Sequence, residues 1–340
     1  MKDLDRLKAR LGEFGGWRLV WTYLRMGVLC TGVKALVACM LKGRSFKNAY
    51  PKIRDRVDGL LLHRYAHLLG SAGHEGAADA DKESDKCADA TLPKIVWTCW
   101  LQGEDKAPAL VKACIHSQHR HLKGYEHRML TLENYTEWIT LPPEVVSKYK
   151  RGIVPAANFS DLIRLAVLRD YGGVWLDATV FCTGMDHERL ASRWQAVEHS
   201  RLTLFRYYPQ GSRVAVGLST WFVAARKGSP LLSDVLEALL AYWHDYDCLV
   251  DYYIMHLFLA TALERNPFLF AGMPRENSRH SLLLAEALHK TYDEARWQDL
   301  VEHVSFHKLN YRKQACTATR KTSDSAPARS MTYLDKVLNT

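Results

Sequence analysis

Cysteine is sparse and unpaired in this chain: eight among 340 residues, at Cys30, Cys39, Cys87, Cys99, Cys114, Cys182, Cys248 and Cys316, with no C-x-x-C pair. That density excludes a disulfide-stapled scaffold, and the reading is a reduced, cytosolic protein whose thiols serve mostly as small core hydrophobes. Long apolar runs are also missing. Between Trp17 and Leu41 the longest charge-free stretch is Met26–Val33, because Arg18, Arg25 and Lys34 interrupt, whereas a spanning helix needs roughly 20 mostly apolar residues. No A-x-A site follows a short apolar region, so no secretory signal is read. Ser71–Thr91 holds no Leu, Ile, Val or Phe; such a stretch cannot bury enough surface to offset chain entropy and reads as a linker or disordered loop. No internal repeat or sustained heptad run is visible.

What is present is ample material for a core. Hydrophobic residues make up 48% of the chain, with 10 Phe, 10 Trp and 16 Tyr, which excludes collagen-like and wholly disordered classes. The net charge of +9 is unevenly placed. Residues 1–70 carry fourteen Lys/Arg against five Asp/Glu, which equals the whole excess. The expected organisation is a basic helical segment at 1–70, a linker at 71–92, an α/β domain at 93–313 and a basic, solvated tail at 314–340.

Within the first segment, Arg18 and Arg25 share one helical face while Trp17, Val20, Leu24 and Val28 line another. Lys34 breaks the pattern, so the helix is expected to break near Gly32. This arrangement suits a helix lying in a membrane interface, with Arg and Lys on anionic head groups. It suits equally a basic helix packed on the main domain with its charges solvated. A second helical stretch, Tyr50–Leu69, carries Arg54, Arg56 and Arg64. No RNP, zinc-finger or helix-turn-helix signature accompanies this charge, so nucleic acid is not expected as a partner.

From residue 93 strand and helix signals alternate, which points to an α/β domain. Lys94–Leu101, His127–Leu132, Leu202–Tyr208, Trp221–Ala225 and Val304–Leu309 read as strands. Helices are expected from Pro108 to about His121, at Pro142–Pro143, and over Pro230–Trp243 and Val250–Glu264. The informative centre is Asn158–Thr183, NFSDLIRLAVLRDYGGVWLDATVFCT. Asn158 or Ser160 is expected to cap a helix with Asp161 in its first turn. Arg164 lies three residues on, projecting from the same face near the helix start. The helix stops at Gly172–Gly173, Val174–Leu176 is a strand, and Asp177 falls at its carboxyl end, where open α/β sheets bind ligands. A phosphorylated, polyhydroxylated donor needs such a set: bidentate donors, a carboxylate for hydroxyls, and positive charge at the diphosphate. The same residues also allow an ordinary helical ion pair followed by a turn aspartate.

S-D-L-I-R followed by Y-G-G-V-W-L-D-A-T resembles the core signature of the sugar-donor-binding glycosyltransferases of family 32, and is most similar to the bacterial capsular polysaccharide synthesis branch. Its order of motifs also resembles that of the glucosylating bacterial toxins. LPKIVWTCWLQG resembles the family's first strand, and VSFHKL its closing strand. The resemblance covers about residues 92–310. It implies a GT-A fold, a nucleotide-sugar donor, usually UDP-linked, a saccharide or lipid-linked acceptor, a Mn2+ or Mg2+ ion, and retention of anomeric configuration by front-face displacement.

Position by position, the resemblance makes Trp100 the partner of the nucleobase. It gives Asp161 and Arg164 the donor's hydroxyls and phosphate, Gly172 and Gly173 the turn, and Asp177 the first acid of D-x-D. His307 stands where such enzymes supply a C-terminal metal or diphosphate ligand, and Lys308 would help neutralise the diphosphate. Trp100 reads equally as a core residue and His307 as a surface histidine. One position departs. Thr179 replaces the second acid, and a hydroxyl is a poorer ligand for a hard cation than a carboxylate. Either a metal binds weakly, through Asp177, Thr179 and His307, or Arg and Lys neutralise the diphosphate. The missing acid also motivates an alternative: a non-catalytic capsule-assembly protein that keeps the fold and acts by membrane or partner binding. His116, His119 and His121 lack Cys or carboxylate support for zinc. The pairs Tyr207–Tyr208, Tyr242–Trp243 and Tyr252–Tyr253 read as core before they read as an acceptor platform. Expected location is cytoplasmic, with peripheral contact on the inner membrane face through residues 1–45.

Overall fold

The computed structural model describes residues 16–42, 50–70, 91–206, 217–274, 276–277, 279–311 and 330–340. Most of the expected linker, the Tyr207–Tyr208 pair, Cys87, Cys316, Arg320, Lys321 and Arg329 lie outside them. The first part of the chain gives α1 (Trp17–Arg25), α2 (Leu29–Leu41), α3 (Tyr50–Tyr65), β1 (Ile95–Cys99), α4 (Ala109–His121), β2 (Glu126–Leu130), α5 (Pro143–Lys150), α6 (Ala156–Tyr171), β3 (Gly173–Leu176) and β4 (Val180–Cys182). There follow α7 (Glu188–His199), β5 (Leu202–Arg206), β6 (Leu218–Ala225), α8 (Pro230–Asp245), α9 (Ile254–Glu264), α10 (Pro267–Gly272), β7 (Glu276–Asn277), α11 (Leu283–Ala287), α12 (Glu294–His303), β8 (Phe306–Lys308) and α13 (Tyr333–Asn339).

Six strands form one sheet in the order β2-β1-β3-β6-β5-β7, and β4 pairs with β8 in a second. β1 runs parallel to both β2 and β3, while β6 is antiparallel to β3 and β5. The chain leaves β1 for β2 on one side, then crosses back to β3 on the other. The carboxyl ends of β1 and β3 therefore flank a topological switch point, where α/β sheets open a crevice. Trp100 follows β1 directly and Asp177 follows β3 directly, so the sheet brings them to the same edge.

Side-chain alternation sends neighbouring residues to opposite sheet faces. Val96, Val174 and Leu176 enter one core with Phe222, Val197 of α7 and Phe306 of β8. Trp97 and Trp175 enter the other, beneath α6, α8 and α9. α6 is buried nearly all round, from Phe159 through Leu162, Ile163 and Leu165 to Leu168, as expected of a central helix.

Three local features differ from the sequence reading. The first helical stretch breaks at Gly27, not Gly32: Gly27 takes φ +68°, a conformation that favours glycine. α6 starts at Ala156, after Pro155, so Asp161 lies in its second turn rather than its first. The proline supplies the boundary that Asn158 or Ser160 was expected to give. The tail is not solvated throughout, because α13 carries a capping box at Thr332 and buries Tyr333 and Val337 against Leu110 and Trp297.

The N-terminal helices share the larger core. Leu19, Val28, Val57, Leu61 and Tyr65 are buried with residues of α8 and α9. Tyr65 donates to Asp245 Oδ2 at 2.6 Å, Arg64 Nε meets the same oxygen at 2.8 Å, and Arg54 Nε meets Asp251 Oδ2 at 2.9 Å. Of the six described cysteines five are buried, Cys30 being exposed, in line with their expected role as core hydrophobes.

Candidate active site

The turn after β3 is built by its neighbours. Asp177 N–H donates to Trp221 O at 2.9 Å, extending the β3–β6 ladder by one residue, and Val180 N–H donates to Asp177 O at 2.9 Å to close the turn. Gln118 of α4 donates from Nε2 to both Asp177 O and Val180 O, at 3.1 and 2.9 Å. The double glycine ends α6 and starts β3, which fixes where the strand delivers Asp177. Gly172 has φ +70° and Gly173 φ +101°, and an added Cβ would lie 2.5 Å from Lys227 N or Ile95 O respectively. The indole of Trp97 also donates to Gly172 O at 2.9 Å. Both glycines thus shape the backbone, and no side chain can take their place without moving a strand.

On this frame Asp161, Arg164, Asp177 and Lys308 form one cluster. Arg164 Nη2 meets Asp177 Oδ1 at 2.9 Å and Nη1 meets Asp161 Oδ1 at 3.2 Å. Trp175 Nε1 donates to Asp177 Oδ1 at 3.0 Å, and its ring lies 4.8 Å from the Arg164 guanidinium carbon. Lys308 Nζ donates to Asp177 Oδ2 and to Thr179 Oγ1, each at 2.6 Å. Arg164 is buried, whereas Asp177 and Lys308 keep 26% and 24% of their side chains exposed, so the cluster is floored by protein and open on one side.

Charge placement sets the protonation states. Burial works to raise the Asp177 pKa, but Lys308 and Arg164 outweigh it and bring it down to about 2. Burial raises Asp161 to about 6, with Arg164 opposing and Asp177 adding to the rise. At neutral pH Asp177 is a firm anion, while Asp161 titrates close to physiological pH.

His256 of α9 belongs to this neighbourhood and was not foreseen. It is buried, its Nε2 lies 3.4 Å from Thr220 Oγ1, and its Nδ1 has no hydrogen-bond partner among the described residues. Burial first, then the charge of Arg164, lowers its pKa to about 4, so the ring is neutral. The signal in the sequence was a histidine inside an otherwise apolar helical run, Ile254–Leu259. Asp251 and Arg54 also act on its field, which ties the N-terminal helices to the floor of the site.

Trp100 is half-buried at the sheet edge, edge-on to Tyr311 with ring centroids 5.3 Å apart and packed with Ala178 of the turn. Its indole N–H is buried without an acceptor among the described residues. His307 is not brought to the cluster. It alternates with Lys308 along β8 and therefore points to the opposite side, where its Nε2 lies 3.2 Å from Thr183 Oγ1. It is a fully buried histidine, its pKa lowered to about 4 by that burial, and neither the metal ligand nor the surface residue that the sequence suggested.

A divalent cation does not fit this donor set. Hard cations take several charged oxygens, yet both oxygens of Asp177 already accept from cationic side chains, and position 179 offers only a hydroxyl, itself held by Lys308. Among the described residues no group of three or more His, Cys, Asp or Glu is placed to hold a metal ion. His116 instead meets Glu104 at 3.0 Å, and His119 stacks on His127. Of the aromatic pairs, Tyr242 and Trp243 are core, while Tyr252 is exposed beside Tyr253.

A family model described as "Capsular polysaccharide synthesis protein" matches residues 74–325. No curated protein matches the chain. A solved structure titled "PaToxG Glycosyltransferase" aligns with 57% of this chain and 81% of its own, at 12% identity and a TM-score of 0.36, a likeness that fixes neither fold nor activity.

Proposed function

This chain belongs to the capsular polysaccharide synthesis family, and we propose that it is a glycosyltransferase of GT-A type acting in surface polysaccharide synthesis. The donor is a nucleotide sugar, UDP-linked in this reading, and the acceptor a saccharide or lipid-linked saccharide. One observation carries the proposal: two acids and two cations meet at the carboxyl edge of β3 and remain open to solvent on one side. A structural ion-pair network has no need of that exposure or of that sheet edge.

The roles follow from charge and geometry. Asp161, partly exposed, accepts from donor hydroxyls. Arg164, fixed between two carboxylates and a tryptophan face, is preorganised toward the diphosphate. Asp177 holds both cations in place, and Trp100, packed with Ala178 of the turn, offers its ring to the nucleobase. Stabilising the departing diphosphate is the largest contribution asked of the protein. Retention by front-face displacement is part of the reading. Incubation of the full chain with a panel of UDP-sugars, with hydrolysis or transfer followed by release of UDP, tests it. Turnover of at least one donor is expected, and inertness toward all of them, with no nucleotide binding, contradicts it.

Peripheral attachment to an anionic membrane surface is part of the same proposal. No single helix among the described residues is long and apolar enough to cross a membrane, and α1 and α2 are bent by 103°. Trp17 and Trp21 on α1 are 86% and 62% exposed, and Leu24, Val33, Val37 and Leu41 are exposed with them. The outward stripe is Trp17, Trp21 and Leu24 rather than the expected Trp17, Val20, Leu24 and Val28, because Val28 packs inward. Arg18, Arg25, Arg64 and Arg151 line an adjoining cavity of about 640 Å³ with Trp21, against the two acids Asp245 and Asp247, of which Asp245 is already paired with Arg64; the balance of charge there is positive.

A further inference from the structure

We propose that Lys308 takes the place of a divalent metal ion at the donor diphosphate, so that this chain transfers sugar without one. The inference rests on the glycosyltransferase reading above and deepens it. Its basis is the position of one ammonium group: Nζ lies 2.6 Å from both Asp177 Oδ2 and Thr179 Oγ1, bridging the first and third residues of D-A-T. Those are the positions from which a D-x-D pair would grip a cation.

The backbone holds that ammonium in place. β8 pairs with β4 with Lys308 opposite Val180, and Leu309 N–H donates to Thr179 O at 2.9 Å. The side chain therefore reaches the turn from the closing strand, while His307 is carried to the other face. An ammonium group has three donors. Two are used, by Asp177 and Thr179, and the third has no acceptor among the described residues, on a side chain that is 24% exposed. A phosphate oxygen entering the crevice completes the set. A metal ion bound to Asp177 Oδ2 would instead stand about 2–2.6 Å from an oxygen that Lys308 already occupies, facing a like charge across it, with a hydroxyl rather than an acid at Thr179 and with Asp161 held by Arg164.

The hydroxyl at Thr179 and the ammonium of Lys308 are then two parts of one arrangement. One carboxylate fewer and one ammonium more supply the two positive charges that a divalent ion would bring, so the charge beside the diphosphate is the same without an exchangeable ion. In the transfer step, the bond from the sugar's C1 to the phosphate oxygen breaks and its electron pair stays on that oxygen. The acceptor hydroxyl oxygen bonds to C1 on the same face, and its proton passes to the departing phosphate. Lys308 keeps its proton throughout and donates a hydrogen bond to the leaving group, with Arg164 beside it.

The test uses the full chain, stripped of metals, with UDP and the UDP-sugars as probes. UDP affinity by calorimetry and turnover by UDP release are read in EDTA and in Mn2+. Equal affinity and turnover in both, within about twofold, are expected. Lys308→Met should weaken UDP binding at least about tenfold, the loss of one charge-assisted hydrogen bond, and Lys308→Arg should restore most of it. In Thr179→Asp/Lys308→Met, a rebuilt D-x-D, Mn2+ should now raise UDP affinity. Binding and turnover of the natural chain that require Mn2+ overturn the inference and leave the glycosyltransferase reading standing. Absence of UDP-sugar binding in either medium overturns both. The EDTA comparison needs no variant, so misfolding of Lys308→Met does not spare the inference.

Discussion

Arg164 and Asp177 lie thirteen residues apart, on either side of the double glycine, and Nη2 of one meets Oδ1 of the other at 2.9 Å. The pair joins the middle of α6 to the end of β3, and Asp161 and Lys308 attach to it from each side. Arg164→Ala leaves two carboxylates facing each other over a buried cavity. It should destabilise the fold by about 3–5 kcal/mol, read as a lower midpoint in denaturant, and abolish transfer. Arg164→Lys should recover stability only in part, because one ammonium cannot meet both acids in the fixed geometry of a guanidinium.

The glycines give a sharper structural prediction. Gly173→Ala would put a Cβ 2.5 Å from Ile95 O at φ +101°, and the strain alone costs about 1–3 kcal/mol. β1 and β3 would have to part, so thermal denaturation should show a melting point lowered by several degrees or an insoluble product. A melting point unchanged from the natural chain counts against the tight β1–β3 contact described above.

Asp161 should impose a pH dependence. Its pKa in the fold, about 6, lies above the ordinary 3.8, so its contribution to stability is full below about pH 4 and is lost as pH rises through 6. Asp177, held near 2, acts the other way: its contribution is present above about pH 4 and is lost only as pH falls toward 2. His256 and His307, lowered to about 4, gain stability for the fold as pH rises through the same window as Asp161. The difference between the natural chain and Asp161→Asn isolates the one group. Asp161→Asn should gain in melting point relative to the natural chain as pH rises from about 4 to 6.5, and the acid limb of turnover near pH 6 should vanish with it. Parallel melting curves across that range contradict the assignment.

Membrane contact is best tested without deleting helices. Residues 1–70 bury Leu19, Val28, Val57, Leu61 and Tyr65 in the main core, so truncation would expose Tyr242 and Phe258 and confound the result. Trp17→Ser/Trp21→Ser changes only outward residues. Recovery with floated vesicles containing anionic lipid should fall roughly severalfold, while UDP affinity stays the same. Equal flotation of both proteins removes the membrane from the proposal.

Much of the site could be read from the chain because its pieces obey local rules. The helix–glycine–strand punctuation around Gly172–Gly173 placed Asp177 at a sheet edge, and spacing put Asp161 and Arg164 on one face. What escaped depends on long-range packing. Nothing local says that Lys308 rather than His307 faces the turn: a strand sends adjacent residues to opposite sides, and only the β4–β8 register decides which goes where. His256 escaped for a similar reason, since only the docking of α9 against β6, which sets the ring beside Thr220, brings it near Arg164. The N-terminal helices looked separable because their charge differs from the rest, yet their buried faces complete the same core.

The most direct measurement is titration calorimetry of a UDP-sugar panel into the natural chain and into Asp177→Asn. At least one donor should bind the natural chain saturably, and the carboxamide variant, with Lys308 and Arg164 no longer anchored, should lose that binding while still melting cooperatively. Equal binding to both proteins, or none to either, would mean that the acids and cations at the end of β3 do not hold a sugar nucleotide.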